Sequence, residues 1–285
     1  MAFLLLSIIG AVIASVAYKA SSESGCRRLQ HLLVERFITT VGFICIGFAL
    51  GGMQVNFEVV CLGLVAGLCL FVARVALLKM LETGQAPVIF TFWNMSLVIP
   101  VLLSIFLWHE KPATWRIIGL ILVPMCFLLL GEHVTRNKNW HQEHPLWKRL
   151  FPILLCVLGE GVFSTCFKMV HVYHLVESRN LFLVLFNLFT LVALVLTTCI
   201  QREVPPRRWE YTYGALSGLG FIIAGAFGII AVLRVPGTVF FPVVAAGSLV
   251  MTLFVTHLIW RQKISMTQKI GIGLSIVVIV LISMV

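Results

Sequence analysis

The sequence predicts an all-α polytopic membrane protein, with ten transmembrane helices arranged as two inverted five-helix repeats. Three observations carry this expectation: a composition too apolar for a soluble domain, ten apolar runs of spanning length, and short matches between the two halves. Of the 285 residues, 60% are hydrophobic and 11% charged, and the mean hydropathy is +1.04. Soluble domains carry about 25% charged residues, which excludes a water-soluble enzyme or binding module. A barrel would show alternating strands. These runs are continuously apolar, so helices that satisfy their own backbone hydrogen bonds are expected.

A spanning helix needs about 20 apolar residues. The first run, Ala2–Tyr18, has no basic residue ahead of its apolar stretch, unlike a secretory signal, and is expected to stay as a helix. Leu32–Leu50 and Phe57–Leu78 follow, then Ala86–Trp108, which contains Pro100, and Trp115–Gly131. The second block comprises Leu150–Phe167, Leu181–Ile200, Tyr211–Leu233, Pro236–Trp260 with Pro242, and Met266–Val285. Proline removes a backbone donor and kinks a helix, so Pro100 and Pro242 are candidate kinks that gate or line a cavity. Between the blocks runs the basic stretch Glu132–Arg149, whose His141-Gln142-Glu143-His144 is read as a solvated connector, not a metal site. The chain thus divides into a first repeat over 1–131, a connector over 132–149 and a second repeat over 150–285.

The halves match in two places. Ser15-Val16-Ala17-Tyr18-Lys19 resembles Ser164-Thr165-Cys166-Phe167-Lys168 at an offset of 149. Trp108, Lys111, Ile118 and Gly119 recur as Trp260, Lys263, Ile270 and Gly271 at an offset of 152. Five helices per copy is an odd number, so the second copy enters the membrane in the opposite sense. Many secondary transporters are built from such inverted repeats.

The net charge is +10 with a pI near 9.5, which points first to cytoplasmic loops and not to nucleic acid. Of the 21 Lys and Arg, fifteen fall on one predicted side, Arg36 among them, and five on the other. Arg74 is left inside the third helix. The richer side is expected to be cytoplasmic, which places both termini outside a plasma (inner) membrane.

The ends of the fourth and ninth runs carry a family resemblance. A Pro-containing helix leads through a short turn to a helix beginning near Ile-Gly. Here these are Ser96–Pro100 through Trp108-His109-Glu110-Lys111-Pro112 to Ile118-Gly119, and Phe241-Pro242 through Trp260-Arg261-Gln262-Lys263 to Ile270-Gly271. On these motifs the chain resembles the drug/metabolite transporter superfamily, in its EamA-like ten-helix branch. Glu110 matches the family's usual turn glutamate, and Gln262 replaces it in the second half. The resemblance implies two inverted five-helix halves whose first four helices surround a central cavity. It also implies solute export or exchange, often driven by protons or a counter-solute. Relatives commonly keep both termini in the cytoplasm, against the charge count here.

There is no Asp, and the eleven Glu are scattered. No Walker A, HExxH, GxSxG or carboxylate pair is present, so a membrane-embedded enzyme has no catalytic residue to work with. No cofactor is expected. None of the eight Cys forms a CxxC, and they read as small buried hydrophobes.

The sharpest candidate is Glu160, in Leu158-Gly159-Glu160-Gly161-Val162. Ten residues into its run, it lies roughly 15 Å deep, near the middle of a core about 30 Å thick. A carboxylate there costs several kcal/mol unless paired, protonated or wet. It is either a proton-coupling or cation-binding group, or an acid held by a neighbouring helix. Arg74 either snorkels to the interface or faces the cavity to pair with Glu160 or with a substrate carboxylate or phosphate. Trp93, Asn94 and Asn187 lie mid-helix, as interhelical glue or as cavity lining.

Together these features predict a secondary active transporter of a small metabolite or drug-like solute, working by alternating access. Export is expected, with proton coupling and exchange both open. A flippase for a lipid-linked headgroup is the alternative. The partners are the solute, protons or a counter-solute, and the lipid bilayer; a homodimer is compatible with the pattern.

Overall fold

A computed structural model describes residues 2–83, 86–96, 98–107, 146–173, 175–234, 237–261 and 266–283, with scattered positions between 114 and 129. Nearly all of these are helical, and no strand occurs among them. The helices are α1 (Ala2–Glu23), α2 (Arg28–Leu50), α3 (Phe57–Thr83), α4 (Ala86–Met95), α5 (Val98–Leu107), α6 (Leu146–Val172), α7 (Arg179–Ile200), α8 (Arg208–Arg234), α9 (Gly237–Trp260) and α10 (Met266–Ser283). A 3₁₀ turn, Leu175–Ser178, leads into α7. The described positions of the fifth predicted run are helical.

Six helices among the described residues are long and apolar enough to cross a bilayer, and two shorter apolar helices join them. The protein is therefore an integral membrane protein, and its polarity runs inside out. Phe37, Phe48, Leu64, Leu196 and Phe254 are exposed, while Lys19, His31, Glu35, Arg36, Arg74 and Glu160 are buried. In water that distribution would be ruinous; in lipid it is the cheap one, because the exterior faces hydrocarbon and the polar groups find one another.

Several boundaries differ from the sequence expectation. α1 runs five residues past Tyr18, to Glu23. It stops because Gly25 takes a left-handed φ of +64°, which lets the Cys26 N–H bond to the Ser21 carbonyl at 3.1 Å. α2 starts at Arg28, so its first turns are polar but still helical. Arg36 is consequently in the helix interior and 2% exposed, not a loop charge, which leaves fourteen cations against five in the charge count. In the fourth run, α4 and α5 flank a turn at Ser96, whose N–H bonds to Trp93 and whose carbonyl accepts from Ile99; Ile89–Leu107 together form one of the six spans. Pro100 sits in the first turn of α5, where its missing N–H costs nothing. Pro242 falls within α9, and its side chain lies outside the described residues, as do the connector motif 141–144 and the turns at 108–113 and 262–265.

The bundle packs across the chain's two blocks. α1 packs most extensively on α8, and α3 on α6; α8 also packs on α2, and α3 on α7. α2 and α7 face each other at the centre. Small residues set these distances. A Cβ on Gly10 would lie 2.5 Å from the Ala224 nitrogen and 2.6 Å from the Gly220 carbonyl oxygen. A Cβ on Gly159 would lie 2.7 Å from the Cys69 carbonyl oxygen and 3.0 Å from the Ala73 Cβ. Gly67 meets α7 at Phe186 and Phe189, and Gly218 meets α2 at Glu35 and Ile38. Backbones this close need residues without side chains.

At one end of the bundle, Arg27 clasps the start of α8. Its Nε and Nη2 donate to the Glu210 carboxylate at 2.9 and 2.8 Å, and its backbone N–H adds a third bond at 2.9 Å. Glu210 also accepts from the Arg207 backbone N–H at 2.6 Å. This is the reach-back of a third-position glutamate to the helix N-cap.

Candidate functional site

α1, α2, α3, α4, α6, α7, α8 and α9 all contribute to a central cavity of about 330 Å³. All five residues singled out from the sequence line it: Arg74 from α3, Trp93 and Asn94 from α4, Glu160 from α6 and Asn187 from α7. Pro100 is not among the described residues that line it, and the Pro242 side chain lies outside the described residues.

Arg74 does not snorkel. It is 4% exposed, and its Nη2 lies 3.4 Å from Glu160 Oε1. Its guanidinium carbon stands 4.4 Å from the Trp93 ring centroid, 4.8 Å from Phe221 and 5.9 Å from Tyr18. Cation–π attraction is strongest where water is excluded, so these rings hold the guanidinium in a chamber with little solvent. Glycines put Glu160 there. Gly159 lets α6 touch the α3 backbone at Cys69 and Ala73, and Gly161 meets the Ile99 side chain. Glu160 is thus held by a neighbouring helix and also lines the cavity.

The sequence reading missed a second charged group. On α2, His31, Glu35 and Thr39 recur every four residues along one face, and Arg36 lies beside them. Arg36 donates to Glu35 Oε1 at 2.5 Å and to Asn187 Oδ1 at 2.8 Å. His31 Nε2 lies 3.7 Å from Glu35 Oε2 and 3.2 Å from the Ser217 hydroxyl. Arg36 also stands over Phe221, 5.2 Å from its centroid. One ring therefore contacts both arginines. The reason α2 buries so much charge is steric. Gly214 and Gly218 bring α8 against the His31 and Glu35 carbonyls, which squeezes water out of that seam. The available signal was the adjacent Glu35-Arg36 inside an otherwise apolar run.

The amides divide their work. Asn187 accepts from Arg36 and donates to the Leu183 carbonyl at 2.7 Å. Asn94 donates to the Phe90 carbonyl at 2.8 Å while bordering the cavity. Several polar atoms of the cavity-lining residues have no hydrogen-bond partner among the described residues: Arg36 Nε, Arg74 Nε and Nη1, and Glu160 Oε2. Buried polar groups are normally satisfied. No three His, Cys or Glu side chains gather as a metal-binding group among the described residues.

No family model and no curated protein matches the sequence. A solved structure described as "Crystal structure of protein" shares the fold, with a TM-score of 0.65 at 16% identity over 98% of this chain and 96% of that one. Identity at that level carries the fold alone.

Proposed function

We propose that the chain is a secondary active transporter of a small solute, built as two inverted five-helix halves over 1–131 and 150–285 and resembling the drug/metabolite transporters. The observation that carries the reading is a set of reciprocal helix contacts around the cavity. If a two-fold axis relates the halves, every contact between them must occur twice with the partners exchanged. Gly10 against Gly220 and Ala224 pairs with Gly159 against Cys69 and Ala73, at offsets of 149 and 151. Gly67 against Phe186 and Phe189 pairs with Gly218 against Glu35 and Ile38, at 151 throughout. The first offset is the one that relates Ser15–Lys19 to Ser164–Lys168. Two like halves around one cavity can exchange conformations at nearly equal energy, which is the basis of alternating access.

Glu160 is the proposed coupling group. Tyr18 on α1, Glu35 on α2 and Cys156 one turn earlier on α6 are the titratable and charged groups around the Arg74–Glu160 pair. The test is a thermal-shift screen of metabolites on purified protein, followed by flux of each hit into proteoliposomes at two pH values. Saturable flux is expected, accelerated by a pH gradient in the wild type and indifferent to it in Glu160→Gln. Hits that bind but never cross the membrane would remove the transporter reading. Cysteines placed at Lys111 and Arg207 and labelled from each side test the proposed orientation, with both termini outside.

A further inference from the structure

We infer that the cavity takes a small organic monoanion, a carboxylate on an apolar or aromatic body, which replaces Glu160 as the partner of Arg74. This names a substrate class for the transporter reading above and rests on the same cavity.

The charges of the wall favour an anion by exchange. Among the described residues, Arg36, Arg74 and Glu160 are the charged residues that line the cavity. Glu35 pairs with Arg36 from behind the wall, fully buried. With Glu35 counted, the four charges balance, so a ligand carboxylate takes the place of the Glu160 charge at Arg74 instead of adding to it.

Several donors are buried and unpartnered. Arg74 spends one nitrogen on Glu160 and leaves Nε and Nη1 unpartnered; Arg36 leaves Nε. The Arg74–Glu160 contact is single and 3.4 Å long, whereas charge-assisted hydrogen bonds settle near 2.7–2.9 Å and are often bidentate with arginine. Glu160 is therefore a loose internal counter-ion, easily exchanged for a carboxylate free to align. Both guanidinium carbons stand near the Phe221 ring, 5.2 and 4.8 Å from its centroid, so the two arginines belong to the same part of the cavity wall.

The remaining wall is aromatic. Trp93, Phe163, Phe186 and Phe221 give flat apolar faces for the body of the ligand. A volume of about 330 Å³ is at the small end of ligand pockets. A cation would face two arginines, and a phosphate dianion carries one charge more than the Glu160 carboxylate it would replace.

The test is equilibrium binding to the purified full chain, with benzoate, benzyl alcohol, benzylamine, phenylalanine and inorganic phosphate as probes. Benzoate is expected to bind at least about tenfold more tightly than the others, the value of one charge-assisted hydrogen bond. Glu160→Gln removes the competing carboxylate and is expected to tighten benzoate binding by about threefold or more. Arg74→Gln alone strands Glu160, so the second variant is the charge-neutral pair Arg74→Gln/Glu160→Gln, checked for folding by its melting curve. It is expected to lose benzoate binding by about tenfold or more. Preference for the amine, the amino acid or phosphate would overturn the inference, as would weaker benzoate binding in Glu160→Gln or unchanged binding in the pair. Flux of a non-anionic solute without benzoate binding sinks this inference and spares the transporter reading. Benzoate binding with no flux of any solute does the reverse.

Discussion

Arg36 on α2 donates a 2.8 Å hydrogen bond to Oδ1 of Asn187 on α7, joining the two blocks of the chain at mid-bundle. Both residues are buried, and the bond supports Arg36 from the side opposite Glu35. Asn187→Leu removes the acceptor and leaves a guanidinium N–H buried without a partner. A loss of about 1–3 kcal/mol is expected. Denaturant unfolding in detergent measures it, and an unchanged midpoint would show that the bond contributes nothing.

The Arg74–Glu160 pair makes a sharper energetic case. Removing one member of a buried pair costs about 3–5 kcal/mol, because an uncompensated charge stays behind, whereas replacing both with apolar groups is often near neutral. Arg74→Met is therefore expected to destabilise strongly, and Arg74→Met/Glu160→Met much less. Melting temperatures of the single and double variants decide this. A double variant as unstable as the sum of the singles would mean the two charges act independently.

Gly10 and Gly159 are expected to respond alike to substitution. A Cβ at either would strike the facing helix, on backbone atoms in the main, and overpacking of that kind costs about 1–3 kcal/mol. Gly273 on α10 is exposed, with nothing among the described residues within 4 Å of an added Cβ. Gly273→Ala is expected to stabilise by about 0.5–1 kcal/mol through helix propensity alone. Thermal unfolding of the three alanine variants checks the pattern.

The Arg27–Glu210 clasp predicts an acid dependence. Burial by itself would raise the Glu210 pKa, but hydrogen bonds from the Arg27 side chain and from the Arg207 and Arg27 backbone outweigh it and hold the pKa down at about 2. An unfolded glutamate titrates near 4.3. The folded value is the lower one, so the clasp stabilises fully above about pH 5, and its contribution fades as pH falls toward 2. Glu210→Gln is expected to cost about 2 kcal/mol at neutral pH. The gap between variant and wild type should close on acidification. A gap that stayed constant from pH 7 to pH 3 would be inconsistent with an ionised Glu210 in the clasp.

The membrane-embedded helical class was legible because it depends on composition and run length, which the bilayer reads directly. Glu160 and Arg74 were legible for a related reason: an ionisable group in the middle of an apolar run has no solvent within reach and must be accommodated. The helix ends were less so. Whether α1 stops at Tyr18 or Glu23 depends on Gly25 and on the polar partners of Lys19 and Ser21, which hydropathy does not weigh. The polar start of α2 hid His31, Glu35 and Arg36 in the same way, since a charged stretch beside a loop looks like loop. The turn at Ser96, one turn before Pro100, was not signalled by the apolar pattern, which runs through it unbroken.

Taken alone, the amino-acid order established that this chain lives in lipid and that a few ionisable side chains lie too deep to be solvated. Both follow from the cost of moving charge out of water, which needs no partner to be evaluated. Which charges meet was decided by packing: α8 closing on α2 through Gly214 and Gly218, α6 closing on α3 through Gly159, and Phe221 contacting two arginines brought from different helices. An ion pair or a cavity wall is a relation between segments scores of residues apart, and local sequence does not encode the distance between them.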